Sequence, residues 1–356
     1  MPLDERPIAV NTRILANQLT GSQRYVRELL SRLVGCLEQI DPDTPATGIR
    51  GHAWEQLILP MRTSGKLLWS PSNTGPLAVE RQVVSLHDVV PMDHPEWLNP
   101  HFAAWYRFLT PRLVRRVRGI LAVSEFTKQR ILAHCPESEA KIRVVYNGVD
   151  PRFHPTGADE IKGARVRLGI PSEHYLVAVG SLEPRKNLPR LLQAWTAIQD
   201  RIPDDVWLVL AGVAGKRTVF GEVSLGTLPP RVCSTGHVPD ELLPALYSGA
   251  IAAPYLSLYE GFGLPPLEAM ACGTPPLASN LASLPEVVGD AGLLVDPNDV
   301  DAIADGISRL VEDSQLRSAL RDKGLNRASQ FSWENTAAQT LAFLREVDAS
   351  TAFQKL

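Results

Sequence analysis

Glu260 and Glu268 stand on either side of Gly261-Phe262-Gly263-Leu264-Pro265-Pro266, a glycine-bearing turn whose two prolines suit the first turn of a helix. Such a helix start points free N–H groups at its loop and forms an anion site. Glu268, about one turn inside the helix, can accept hydrogen bonds from a diol, and Glu260 on the loop can accept from a second polyol. Together the parts describe a pocket for a phosphorylated sugar. A plainer reading is a helix start whose acids complement the dipole.

Three further places carry chemistry. In Val179-Gly-Ser-Leu-Glu-Pro-Arg-Lys-Asn-Leu, an apolar strand ends in a turn that delivers Arg185 and Lys186 just before a helix. Adjacent cations there can neutralise a diphosphate, Arg by a bidentate fork and Lys as a point charge; a solvated basic turn is the alternative. His87 and Asp88 directly follow the apolar run 83–86. An imidazole at a strand end can hydrogen-bond a sugar hydroxyl or shield charge developing at an anomeric carbon, or serve as a structural hydrogen-bonder. Asp88 reads as the cap of the next turn. Gly21, opening a helix after the first strand, can let a phosphate or an acceptor approach that helix end.

These residues need a scaffold that presents strand ends. Short apolar runs alternate with amphipathic segments, the sign of parallel strands joined by helices. Strands are expected at 8–11, 67–69, 82–86, 119–123 and 142–146, with helices at 22–37 and 100–117. A second series has strands at 175–179, 207–211, 251–253, 276–278 and 292–295, with helices at 188–199, 241–248 and 264–271. The Pro- and Gly-bearing stretch 150–157 suits a linker. The expected fold is therefore α/β, two Rossmann-like doubly wound domains facing a central cleft. Their bounds are 1–157 and 158–330, with 331–356 as a C-terminal helix. The region 36–66 lacks clear strands, which suggests a trimmed first domain.

The chain of 356 residues is comfortable for two cores, and 44% apolar with 21% charged residues is ordinary for a globular protein. A net charge of -3 gives no field for nucleic acid. Cys36, Cys135, Cys233 and Cys272 have neither metal nor redox spacing, which suits a reduced, cytoplasmic chain. The first residues show no signal pattern, and no apolar run approaches a membrane span. Asp41/Asp43 and Asp296/Asp299 read as turn residues rather than metal pairs.

With seven residues between its two glutamates, the stretch 259–275 resembles the retaining glycosyltransferases of family four, the group one enzymes of GT-B fold. The likeness extends through 278–297. It implies that Glu268 holds the nucleotide ribose, that Glu260 holds hydroxyls of the donor sugar, and that the backbone of Gly261, Phe262, Gly263 and Leu264 contacts sugar and pyrophosphate. It also implies that backbone groups around Val238 hold the nucleobase and that His87 is a site residue of the first domain. Lys186 matches the family lysine, whereas Ser181 stands where an arginine is typical; Arg185 is placed to supply that charge. The helix after Phe331-Ser332-Trp333-Glu334 is expected to fold back on the first domain.

The function so implied is transfer of a sugar, best matched by mannose from GDP-mannose, from a nucleoside diphosphate sugar to a glycan or lipid-linked acceptor. The resemblance is to bacterial mannosyltransferases of exopolysaccharide or lipopolysaccharide assembly, with retention of configuration. Catalytic roles fall to His87, Glu260, Arg185 and Lys186; Gly21, Ser181, Val238, Gly261, Phe262, Gly263, Leu264 and Glu268 bind the donor. No cofactor or metal is expected. A sugar-nucleotide epimerase of similar fold and a non-catalytic nucleotide-sugar binding protein are the alternatives. Trp97, Phe102, Trp105, Tyr106 and Phe108, mixed with Arg107, Arg112, Arg115, Arg116 and Arg118, suggest peripheral contact with an anionic membrane; a packed amphipathic helix gives the same pattern.

Overall fold

The computed structural model describes residues 7–16, 21–213, 219–220 and 225–353, with side chains through 350. The chain forms two compact units. The first comprises residues up to Asp93, then Ala103–Gly148 and the segment from Ser332 onward; the second comprises His94–Phe102 and Val149–Phe331.

The first unit holds β1 (Ile8–Asn11), α1 (Gly21–Arg32), β2 (Leu37–Ile40), α2 (Gly48–Leu57), α3 (Leu59–Arg62), β3 (Leu68–Ser70), β4 (Gln82–Leu86) and α4 (Val90–Asp93). It also holds most of α5 (Pro100–Arg116), then β5 (Gly119–Ala122), α6 (Glu125–His134) and β6 (Ile142–Val144). All six strands are parallel, in the order β2-β1-β3-β4-β5-β6. Strands β1, β3, β4 and β5 are buried throughout, as sheet strands covered on both faces require. The stretch 36–66 supplies β2, α2 and α3. Leu37-Glu-Gln-Ile is a partly exposed edge strand, so it lacks the continuous apolar run of a central one.

The second unit holds α7 (Ala158–Arg167), β7 (His174–Val179), α8 (Leu188–Ile198), β8 (Val206–Ala211), β9 (Val232–Gly236), α9 (Leu243–Ser248), β10 (Ala253–Tyr255), α10 (Leu264–Ala271), β11 (Pro276–Ser279), α11 (Leu284–Val288), β12 (Leu293–Val295), α12 (Val300–Glu312) and α13 (Ser314–Ser329). Its strands form the parallel sets β7-β8-β9 and β10-β11-β12. Backbone bonds from Val177 N to Ala252 O (3.1 Å) and from Ile251 N to Tyr175 O (2.7 Å) join them. The resulting order, β9-β8-β7-β10-β11-β12, reverses direction between β7 and β10. In such sheets ligands bind beyond the strand C-termini at the reversal. Strand β9 is absent from the sequence reading because Val-Cys-Ser-Thr-Gly is only half-buried and weakly apolar.

The last helix, α14 (Trp333–Phe353), belongs to the first unit. Trp333 is buried with its ring edge-to-face with Tyr25 at 6.1 Å, and Thr336 Oγ1 donates to Tyr146 O at 2.7 Å. Gly148 has no room for a Cβ, which would stand 2.1 Å from Trp333 N.

Candidate functional site

At the reversal in the second unit, two loops meet. One follows β7 and carries Gly180 to Asn187; the other follows β10 and carries Leu256 to Gly263. Leu258 N donates to Arg185 O at 2.8 Å, tying them together. A pocket beside them is lined by residues that include Gly180, Ser181, Lys186, Tyr255 and Ser257. Gly180 and Gly212 end adjacent strands, and a Cβ on Gly212 would lie 1.8 Å from Gly180 O, so only glycine fits there. Gly263 caps α10 at φ 112°, a conformation that favours glycine.

The charged side chains converge across the loops. Glu260 Oε1 accepts from Lys186 Nζ at 2.6 Å and from the Tyr255 hydroxyl at 3.0 Å; Glu260 Oε2 accepts from Arg185 Nη1 at 2.7 Å. Lys186 Nζ also donates to the Tyr255 hydroxyl at 2.5 Å and lies 4.8 Å from its ring centroid. Arg185 Nε donates to Glu183 Oε2 at 2.8 Å, and Ser181 Oγ donates to Glu183 Oε1. Two cations thus face two carboxylates in a largely buried cluster. Burial by itself would raise the Glu260 carboxyl, but the charges of Arg185 and Lys186 outweigh it and hold the group down at about 2. Burial, with Arg185 adding to it, pushes the Lys186 ammonium below the usual lysine range, against the pull of Glu260. Burial and the Glu260 charge push the Tyr255 phenol well above its ordinary value.

Of the residues named from sequence, Lys186, Arg185, Glu260 and Ser181 are therefore brought together, Ser181 through Glu183. Ser283 Oγ fixes the turn by donating to Glu260 O at 3.0 Å and Phe262 O at 2.6 Å. Phe262 is buried with its ring edge-to-face with Phe331, and Leu264 opens α10. Glu268 is 5% exposed, in the body of α10, and Val238 is buried just after β9.

His87 and Gly21 lie in the first unit. His87 follows β4; its Nε2 donates to Pro71 O at 2.8 Å, its N–H to Asn73 Oδ1 at 2.6 Å, and its ring meets Tyr25 edge-on at 4.8 Å. Burial, partly countered by the Pro71 carbonyl, brings the imidazole down to about 4, so it is neutral at pH 7. Gly21 is the first residue of α1; Leu19 and Thr20 lie outside the described residues. Asp88 accepts from Val90 N and Ser124 caps α6, as turn and cap residues do. Asp43 pairs with Arg62, and Asp299 caps α12. Among the described residues no group of three or more His, Cys, Asp or Glu could hold a metal ion.

Sequence reasoning missed Tyr255, Glu183 and Gly212. Tyr255 ends an apolar strand and reads there as core; its hydroxyl gains meaning only from partners 69 residues before it and five after it.

The chain matches two family models: residues 162–327 fit the one described as glycosyl transferases group 1, and residues 70–153 the one described as Glycosyltransferase Family 4. It is 36% identical to the O-antigen chain mannosyltransferase B of Escherichia coli over 268 residues, 75% of this chain and 70% of that protein. It is 29% identical to the serotype-specific mannosyltransferase WbdA of Escherichia coli over 72% of this chain, but spans only 32% of that longer protein. Among solved structures, Anabaena HepE in complex with UDP and glucose superposes with a TM-score of 0.74, at 20% identity over 96% of this chain and 99% of that one.

Proposed function

The chain belongs to the group one glycosyltransferases of family four and is a hexosyltransferase of GT-B fold, and from that premise we propose that it transfers mannose from GDP-mannose to a glycan or lipid-linked acceptor. The mannosyltransferase relatives support the choice of sugar. The observation that carries the reading is the convergence of Lys186, Arg185 and Glu260 on one loop pair where the strand order reverses.

In this reading Lys186 and Arg185 take the diphosphate and stabilise its charge as the sugar leaves, which removes the need for a divalent metal. The N-terminus of α10, with the backbone of Gly261 to Leu264, adds N–H donors to pyrophosphate and sugar. Glu268 accepts from the ribose diol, and backbone groups around Val238 hold the base. Ser181 acts through Glu183 to aim Arg185. His87, neutral at working pH, hydrogen-bonds a sugar hydroxyl rather than supplying charge. Gly21 lets a phosphate or the acceptor approach α1. The configuration is retained by departure and attack on one face, with a donor phosphate oxygen taking the acceptor proton.

The reading includes peripheral contact with an anionic membrane, although of the five aromatics expected to make it only Phe108 is exposed, the other four being half-buried. Ile49, Leu57, Met61 and Phe108 are 90%, 70%, 69% and 46% exposed. Arg50 is exposed on α2 with Ile49 and Leu57, and Arg107 and Arg112 on α5 with Phe108; Met61 is on α3. Apolar side chains framed by arginines favour peripheral contact. No described helix is long and apolar enough to cross a membrane.

The test is a panel of UDP-, GDP-, dTDP- and ADP-sugars, scored for binding and slow nucleotide release, with Lys186→Ala as control and excess chelator in parallel. The reading expects GDP-mannose to bind and to be turned over in a Lys186-dependent, chelator-insensitive way. Preference for another donor, or loss of turnover in chelator, would overturn the corresponding part.

A further inference from the structure

In the charged cluster the Glu260 carboxylate accepts from Lys186, Arg185 and Tyr255, with the Ser257 hydroxyl beside it. Phosphate oxygens and carboxylate oxygens draw on the same N–H donors. An anion that takes the donors now given to Glu260 must displace its carboxylate. With only 7% of Glu260 exposed, the displaced carboxylate has little water to turn to. A buried charge that loses its partners is strongly destabilising unless new donors replace them. A sugar attached to the diphosphate brings such donors as hydroxyls, whereas a bare diphosphate brings none.

We propose that Glu260 determines specificity for the donor over its own leaving group: it competes with the diphosphate for Lys186 and Arg185, and yields readily only to a diphosphate that carries a hydroxylated sugar. The inference rests on the assignment of Lys186 and Arg185 to the diphosphate. It has a consequence for turnover. Once the sugar has gone to the acceptor, Glu260 loses its hydroxyl donors and reclaims the two cations, which drives the nucleoside diphosphate out. The carboxylate thus favours product release as well as donor recognition.

The experiment is calorimetric binding of inorganic pyrophosphate, GDP and GDP-mannose to the full chain and to Glu260→Gln, Glu260→Asp and Lys186→Ala, each checked for cooperative thermal unfolding. Pyrophosphate makes the result independent of the base. Glu260→Gln keeps the shape and removes the charge; it is expected to bind pyrophosphate and GDP at least tenfold more tightly. GDP-mannose should gain nothing, so the ratio of donor to product affinity falls at least tenfold. Glu260→Asp keeps the charge but cannot span both cations, and should shift the same way by less; it carries the test if Glu260→Gln does not fold. Unchanged or weaker pyrophosphate binding by the Glu260 variants, with Lys186→Ala losing it, overturns the competition while leaving the diphosphate assignment standing. Full pyrophosphate affinity in Lys186→Ala overturns that assignment, and the competition with it.

Discussion

Each unit places a buried ion cluster where its strand order reverses, and the two clusters differ in what is left for a ligand to use. In the second unit Lys186 and Arg185 share Glu260 beside a pocket. In the first, the reversal lies between β1 and β3. There Glu55, fully buried, accepts from Asn11 Nδ2 at 2.9 Å, Arg13 Nε at 3.2 Å and Thr74 Oγ1 at 2.5 Å. Arg13 is 4% exposed, and a Cβ on Gly51 would meet its Nη1 at 2.6 Å, so α2 lies directly on the guanidinium. Burial raises the Glu55 carboxyl, but contacts with His52, the charge of Arg13 and the Thr74 hydroxyl outweigh it and keep it below the usual range. The first-unit cluster is covered by a helix; the second lies against a pocket. A fold-level rule about where ligands bind marks both places, and the packing around each is what differs.

Removing one carboxylate from each cluster should affect the two units unequally. Glu55→Ala leaves Arg13 buried without its counter-charge and should lower the unfolding free energy by about 3–5 kcal/mol. Denaturant titration measures it. The same titration on Glu260→Gln should show a smaller loss, because the two cations retain Glu183, Tyr255 and access to the pocket; an equal loss would end the distinction.

His87 sharpens it by pH. Its imidazole titrates at about 4 in the folded chain against an ordinary 6.5. Between those values the unfolded chain binds a proton that the folded one does not, so stability rises with pH across that window. The full effect is roughly 3 kcal/mol. It should be present above pH 6.5, shrink on acidification toward pH 4, and be missing from the pH profile of His87→Gln. A profile identical in variant and parent would show that the histidine is not held neutral.

The smallest change is expected from Lys186→Ala, where the comparison is read in binding. Removing one charge-assisted contact to a diphosphate should weaken GDP by about 1.5–3 kcal/mol while leaving guanosine unaffected. Equal losses for nucleotide and nucleoside would mean that Lys186 supports the pocket wall rather than the phosphates.

Much of this was legible along the chain. The spacing of Glu260 and Glu268 about a Gly-Phe-Gly turn, the Arg185-Lys186 pair after an apolar strand and the alternation of strand and helix are local patterns, set by φ/ψ preference and by the period of burial. They are enough to indicate a parallel α/β architecture and the residues most apt for a phosphorylated sugar. The edge strand β2 and the half-buried β9 escaped notice because a strand exposed on one side carries a weak apolar signature.

What the chain by itself determined is therefore the kind of chemistry and the elements that present it. Tertiary structure alone decided which groups meet. Tyr255, silent as a strand-end aromatic, joins Lys186 to Glu260. Arg185, from the turn that also holds Ser181 and Glu183, reaches Glu260 75 positions on. Glu55, one acid in an otherwise ordinary helix, becomes the buried partner of Arg13. The Lys186–Tyr255 and Arg13–Glu55 contacts link residues 69 and 42 positions apart, because parallel strands carry distant segments to one sheet edge, where burial requires every charge to find a partner.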